Sequence, residues 1–236
     1  MEWEPTMEGG RLIHTKQPWM WYDASQIWVS ENEMKLWVEK KPNTIHHWDG
    51  KTYNPKIAVG IARSVKTFLR GNFSAEIMMP SGKNLWPSFW LVGADKDWPL
   101  CGEIDIVESW SNRCSSYFRF TIPQPPYLVP SWKTTTNVHW SENGEYKYTG
   151  SRSLPLIFSL KNPSNTFVKY ELIWESDRIL FLVDGKTIRC YGYDVAKHLS
   201  NSLQRVIFNN WVQGEDCSLK QPMIIRNFKY EPLVCI

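Results

Sequence analysis

Three carboxylates stand within six residues, Glu103, Asp105 and Glu108, on the otherwise apolar and β-branched segment Gly102-Glu103-Ile104-Asp105-Ile106-Val107-Glu108-Ser109. Side chains alternate along a strand, so Glu103 and Asp105 project to one face while Ile104 and Ile106 enter the other. Glu108 has the wrong parity to join them. One extra residue, a β-bulge near Ile106 or Val107, would return Glu108 to the face of the other two acids. Carboxylates paired on one side of a cleft are the equipment for glycosidic bond cleavage, and the separation of their carboxyl groups decides the stereochemistry. Residues four to five apart on a flat strand lie roughly 13 Å apart at Cα. A retaining mechanism needs carboxyl groups about 5 to 5.5 Å apart. Closing that gap takes the bulge, a sheet concave toward the sugar, and two Glu side chains leaning inward, so the spacing predicts a curved sheet. A strand that merely presents acids to solvent would show the same residue types, and its neighbours decide between the two readings.

Upstream runs Leu85-Trp86-Pro87-Ser88-Phe89-Trp90-Leu91-Val92-Gly93, followed by Trp98-Pro99-Leu100-Cys101-Gly102. With W-P-x-F-W-L ahead of E-[IL]-D-x-x-E, the chain resembles glycoside hydrolase family 16, the laminarinase, lichenase, agarase and carrageenase group. Phe68 to Ile77 is similar to the family's Y-G-x-F-E-A-R-I strand, and Asn137-Val138-His139-Trp140 to its T-V-H-W strand. Tyr170 to Glu175, with Asp177-Arg178-Ile179 and Phe181 to Gly185, looks like its Y-x-x-E-W-x-x-D-x-I-x-F-Y-V-D-G pattern. Roughly residues 55 to 235 are covered. The six-residue acid motif resembles the bulged branch, which holds 1,3-glucanases and galactan-cleaving enzymes.

The resemblance implies roles by position: Glu103 as nucleophile, Glu108 as general acid/base, and Asp105 as the assisting carboxylate. Physical chemistry supports that division. Glu103 must be ionised to attack an anomeric carbon. Glu108, desolvated near another carboxylate, keeps its proton to a higher pH and can donate it to the leaving oxygen. Trp98 corresponds to an aromatic lining the sugar site, with core packing the alternative. Trp86 and Trp90 share a face only on a regular strand; Trp86 is expected in the cleft and Trp90 in the core. His139 resembles the family's cleft histidine, poised to touch substrate or a carboxylate, although a satisfied structural histidine is an equal alternative. Arg70, Asn72 and Trp211 could meet sugar hydroxyls from the same sheet, or be turn and core residues.

At 236 residues the chain has the length of one all-β sandwich with a sizeable core, and it is expected to be a single catalytic domain over 1–236. Fourteen Trp is far above ordinary usage and suits both a core and a sugar-binding cleft. Lys plus Arg 27 against Asp plus Glu 24 leaves +3, with no basic cluster that would suggest nucleic acid. No stretch approaches the ~20 apolar residues of a membrane span. The expected partner is therefore a polysaccharide or oligosaccharide, with the protein a monomer. The first residues, Met1-Glu2-Trp3-Glu4-Pro5, lack a signal-peptide pattern. Polymeric substrates still favour a secreted or periplasmic protein from which a leader was removed. Cys101, Cys114, Cys190, Cys217 and Cys235 lack metal-type spacing and are odd in number, so reduced thiols are expected, with a Cys101 to Cys114 bridge as the alternative.

Elements that must position the acids read as almost wholly β. Val168, Tyr170, Leu172 and Trp174 alternate with polar or outward residues, and Ile179, Phe181 and Val183 lead into the hairpin pair Asp184-Gly185. Further β runs fall at 73 to 79, 104 to 110, 116 to 122, 205 to 212 and 223 to 230; only Val195 to Leu203 suggests a short helix. Many strands between Gly, Pro and Asn turns predict a two-sheet antiparallel jelly-roll sandwich with a concave substrate cleft. Loops are expected at Ile122 to Pro130 and Ser151 to Asn165.

Two departures from the family pattern bear on chemistry. Arg226 stands where many members carry an Asp that helps hold a structural calcium, so no cofactor is expected and such a calcium is doubtful. Phe208-Asn209-Asn210-Trp211-Val212 departs from the N-x-A-x-G-G pattern of glucanases. The expected activity is an endo-acting, retaining β-glycanase on β-1,3- or mixed-linkage glucan. Alternatives are a red-algal galactan hydrolase of agarase, porphyranase or carrageenase type, or a non-catalytic glycan-binding protein on the same scaffold.

Overall fold

The computed structural model describes residues 2–7, 12–111, 132–150, 152–153, 163–199 and 201–233. The strand expected at 116 to 122, the loop at 122 to 130, most of the loop at 151 to 165, and Cys114 and Cys235 lie outside them. The early strands are β1 Trp3–Glu4, β2 Met20–Tyr22, β3 Ile27–Val29, β4 Glu33–Leu36, β5 Val38–Lys40, β6 Ile45–His46 and β7 Thr52–Tyr53. Then come β8 Ile57–Val59, β9 Ile61–Phe68, β10 Gly71–Met78, β11 Leu85–Gly93, β12 Glu103–Ser111, β13 Trp132–Glu142, β14 Glu145–Tyr148 and β15 Arg152–Ser153. The chain finishes through β16 Val168–Trp174, β17 Ile179–Val183, β18 Lys186–Tyr191, α1 Tyr193–Ala196, β19 Gln204–Val212 and β20 Met223–Glu231. The helix expected from Val195 to Leu203 is thus one turn, begun two residues earlier and ended before the polar run Lys197-His198.

Two large antiparallel sheets make a jelly-roll sandwich. One runs β1-β9-β19-β11-β12-β13-β14, with β15 on β13, and the other β18-β17-β16-β10-β20-β4-β3. Their facing sides hold the main core, in which Phe89, Leu91, Ile104, Val107, Val138 and Phe208 meet Phe73, Ile77, Leu172, Trp174, Phe181 and Ile225. The outer face of the first sheet is also covered. A three-stranded sheet, β2-β8-β5, packs there, and Met20, Tyr22, Val38 and Val59 form a second apolar cluster with Trp90, Val92, Ile207 and Trp211. This double covering explains why β11 reads as a continuous apolar run: Phe89 and Leu91 serve the main core while Trp90 and Val92 serve the cluster beneath the cleft.

The sandwich sorts one sequence expectation differently. Asn72 lies at the start of β10 and Arg70 just ahead of it, and β10 pairs with β16 and β20 in the sheet opposite the acids. Local alternation reports which face a residue takes but not which sheet its strand joins, so both residues stand away from the cleft. Cys101 is buried, its sulfur 3.5 Å from the Gly102 carbonyl oxygen, and the alternative bridge falls on Cys114, outside the described residues.

Candidate active site

The bulge on β12 brings the acids together. Against β11, Val92, Trp90 and Ser88 face Glu103, Asp105 and Glu108, with one residue skipped between Asp105 and Val107. Against β13, the same three acids face His139, Asn137 and Thr135, with the shift again between Asp105 and Glu108. Val92, Trp90 and Ser88 alternate strictly, so their partners share one face although Asp105 and Glu108 are three apart. Ile106 is the extra residue, and it stays in the apolar core with Ile104 and Val107. Gly102, at φ +73, opens the strand, and Gly93 lies so close to Cys101 that a Cβ would stand 2.2 Å from the Cys101 carbonyl oxygen. Only glycine closes the loop this tightly before Glu103.

All three carboxylates line a cleft of about 420 Å³ with Trp86, Ser88, Trp90, Val92, Trp98 and Trp211. The Trp86 indole donates to Glu108 Oε1 at 3.0 Å, and the Trp90 indole to Asn209 Oδ1 at 2.6 Å. Asn209 also donates to the Trp86 carbonyl at 3.2 Å, which ties the two tryptophan strands together beneath the cleft. Trp211 is the hub of the floor: it meets Trp86 and Trp90 edge to face at 5.5 and 5.9 Å and stacks on Tyr22 at 6.2 Å. Trp98 stands out at 46% exposed, with the Lys16 ammonium 5.6 Å from its ring. A half-exposed indole at the cleft wall offers an apolar face on which a pyranose ring can stack.

His139 sits behind the acids rather than in the cleft wall. Its Nε2 is 3.0 Å from Asp105 Oδ2 and 3.6 Å from Glu103 Oε1, and its Nδ1 is 2.6 Å from the Tyr146 hydroxyl. Glu103 and Asp105 are hydrogen-bonded to each other. Burial is the largest influence on all three acids. It holds Glu103 well above the ordinary carboxylate range, aided by the charge of Asp105, and does the same to Asp105, aided by Glu108. Glu108 is raised to about 7 by burial, against the Trp86 hydrogen bond and the His139 charge, which favour its ionised form. Three buried carboxylates cannot all be charged together, so protons are retained in the cluster into the neutral range. Glu103, Asp105 and His139 offer ligand atoms within 4.8 Å of one another, as a cation would need, but they are already engaged with each other.

Trp86 and Trp98 line the cleft, Trp211 is buried in its floor, and His139 touches carboxylates. Trp90 is 7% exposed and packs in the apolar cluster beneath the cleft, the core position expected of it, while also facing the cleft. Proline at 87 leaves β11 regular, with nine unbroken pairs to β19, so Trp86 and Trp90 share the cleft face. Sequence reasoning missed His14, Lys16 and Tyr22, and also Trp48, which is 69% exposed at the tip of the β6–β7 hairpin; all four line the cleft. The Trp19-Met20-Trp21-Tyr22 and His46-His47-Trp48 runs were the available signal. On the far sheet, the position expected to lack a calcium ligand holds a cation of its own. Arg226 donates to Glu76 Oε2 at 2.8 Å, its guanidinium lies 3.6 Å over the Phe167 ring, and Asn227 donates to the same oxygen at 3.2 Å. These residues do not fit a bound calcium.

Acids gathered by a bulge in an aromatic cleft, on one face of a jelly-roll sandwich, define a glycan-cleaving hydrolase. Residues 14–225 match Glycosyl hydrolases family 16, and the chain belongs to that family. It is 25% identical over 206 residues to a glucan endo-1,3-beta-glucosidase of Cryptopygus antarcticus, a match covering 79% of this chain and 67% of the relative. A structure concerned with endo-acting O-glycanases of the human gut microbiota superposes with a TM-score of 0.72 at 17% identity, covering 97% of this chain and 83% of that one. LamAcat of Zobellia galactanivorans gives 0.66 at 18% identity, covering 95% and 84%. Both superpositions are likenesses of fold. No helix among the described residues is long and apolar enough to cross a membrane.

Proposed function

We propose that this chain is an endo-acting, retaining hydrolase of β-1,3- or mixed-linkage glucan. The observation that carries the reading is the bulged strand that sets Glu103, Asp105 and Glu108 on one buried face beneath Trp86 and Trp98. The curated relative's activity on 1,3-β-glucan supports the choice of substrate. Glu103 attacks the anomeric carbon while the proton it shares with Asp105 rests on Asp105. Glu108 protonates the departing oxygen, and the sugar becomes covalently attached to Glu103. Glu108, now ionised, takes a proton from water, which attacks the same carbon and releases Glu103 with net retention. Burial suits Glu108 to both halves, because an acid near 7 exchanges its proton readily at neutral pH. The 236 residues act as one catalytic domain, monomeric, working outside the cytoplasm where polymeric glucan is met.

The experiment is product release from laminarin, mixed-linkage glucan, agarose, porphyran and carrageenan, with Glu108→Gln as control. Internal cleavage of laminarin or mixed-linkage glucan, lost in the control, is the expected result. Oligosaccharides from a galactan alone would replace the substrate assignment. Glycan binding with no release from any polymer would make this a recognition protein.

A further inference from the structure

Tyr146 lies on the edge strand β14, outside the cleft lining, yet it is one hydrogen bond from the acids' own partner. Its hydroxyl is 2.6 Å from His139 Nδ1, while His139 Nε2 is 3.0 Å from Asp105 Oδ2. Asn137 complicates that contact. Its Oδ1 accepts from the Val138 N–H at 3.0 Å and from the Thr149 hydroxyl at 2.8 Å, so its Nδ2 must face the imidazole, 2.8 Å from the same Nε2. Nε2 is thus offered an acceptor in Asp105 and a donor in Asn137, and a neutral imidazole satisfies only one of them. The group at Nδ1 decides which.

We propose that Tyr146 is a positioning residue for this hydrolase: its hydroxyl donates to His139 Nδ1 and so keeps the ring proton on Nε2, directed at the Glu103 and Asp105 pair. The inference rests on the reading that Glu103 is the attacking group. An N–H aimed at a carboxylate makes a stronger bond than an amide aimed at an imidazole, but it needs a donor on the ring's far side. The phenol supplies that donor. Partial burial, followed by the charge of Glu103, pushes the Tyr146 hydroxyl toward higher pKa, so it keeps its proton through the neutral range. The ring is also fixed in place. Tyr146 is stacked with His139 at 12° and with Tyr148 at 8°, and its centroid is 5.1 Å from that of Trp98. One residue therefore supports both the sugar platform and the acid pair. The groups that face His139 are Glu103, Asp105 and, further off, Glu108 from β12, with Tyr146 and Tyr148 from β14; Lys16 lies over Trp98.

The test is Tyr146→Phe in the full chain, read first by 15N NMR of the His139 ring on the alkaline plateau of its own pH series. The wild type is expected to carry its proton on Nε2 and the variant to shift toward the Nδ1 tautomer. Losing one such bond should lower kcat roughly three- to tenfold with KM unchanged. Tyr146→Ala should raise KM as well, since Trp98 loses its support. A wild-type ring protonated on Nδ1 overturns the proposal, as does a Tyr146→Phe ring whose 15N pattern is unchanged. The NMR result stands whether or not any polymer in the panel is cleaved, so failure here is separate from failure of the substrate assignment.

Discussion

Trp86→Phe is the sharpest perturbation of the acid/base. The substitution keeps an aromatic ring against Trp211 but removes the N–H that donates to Glu108 Oε1 at 3.0 Å. That bond favours the ionised carboxylate, so losing it makes Glu108 hold its proton more tightly and moves its pKa up from about 7. Hydrogen bonds to charged groups contribute about 1.5 to 3 kcal/mol, and one pKa step is about 1.4 kcal/mol. The rise is therefore about one to two pH units, with the lower figure expected because water can enter the space left by the indole and replace part of the bond. Glycosidic cleavage needs Glu108 protonated, and kcat/KM against pH reports the free enzyme's acid. The alkaline limb of that profile should move from near 7 to about 8, measured on whichever polymer the wild type cleaves. An unmoved limb, or one displaced to lower pH, would refute the assignment of Glu108 as the proton donor held down by Trp86.

Stability should carry the same signature. A rise from 4.5 to about 7 means that the folded state binds the Glu108 proton more tightly than the unfolded chain by about 3 kcal/mol. Stability is therefore lost as pH climbs from about 4.5 through 7. Glu108→Gln removes that titration, so its Tm advantage over the wild type should grow across this window and then level off; a constant difference in thermal melts would contradict the burial argument. Trp98→Ala should raise KM with Tm nearly unchanged, because the ring is 46% exposed, and equal losses of binding and stability would place it in the core instead. Arg226→Ala breaks a half-exposed ion pair on the far sheet worth about 0 to 1 kcal/mol, so thermal melts should shift by a few degrees while kcat/KM stays put. Arg70→Ala, on that same sheet, should likewise leave KM unchanged in steady-state assays.

The acid face was legible because strand parity is arithmetic. Counting from Glu103 to Glu108 demands one extra residue for a shared face, and the register shift falls at Ile106, within the segment parity allows. Trp90 was legible as a core residue, and it is buried in the cluster beneath the cleft. Pro87 sits opposite Asn210 without breaking the pairing, so Trp90 keeps the parity of Trp86. What parity cannot report is which sheet a strand joins. Arg70 and Asn72 were lost for that reason, their side set by the pairing of Gly71 and Asn72 with Trp174 and Ile173, about a hundred residues away in sequence. The N-terminal wall was hidden similarly: Tyr22 reaches the cleft from β2 of the small sheet over the outer face, Lys16 from the turn before β2, and Trp48 from the tip of the separate β6–β7 hairpin.

Ile106 makes the enzyme's chemistry depend on chain length as much as on residue type. Substitution there alters packing by a methyl group or so, and the acids keep their face. Deletion of that single position would restore an unbroken ladder and leave Glu108 four residues beyond Glu103, with the parity of the other two acids, so the shared face would survive. What deletion removes is the local bend and added twist of the bulge, so the change would be felt in the separation of the carboxyl groups, and hence in turnover, before it was felt in folding. In descendants of this chain, loss of one residue between Asp105 and Glu108 should therefore be tolerated by the fold, whereas straightening the bulge at unchanged length would turn Glu108 inward among Phe89, Leu91 and Val138.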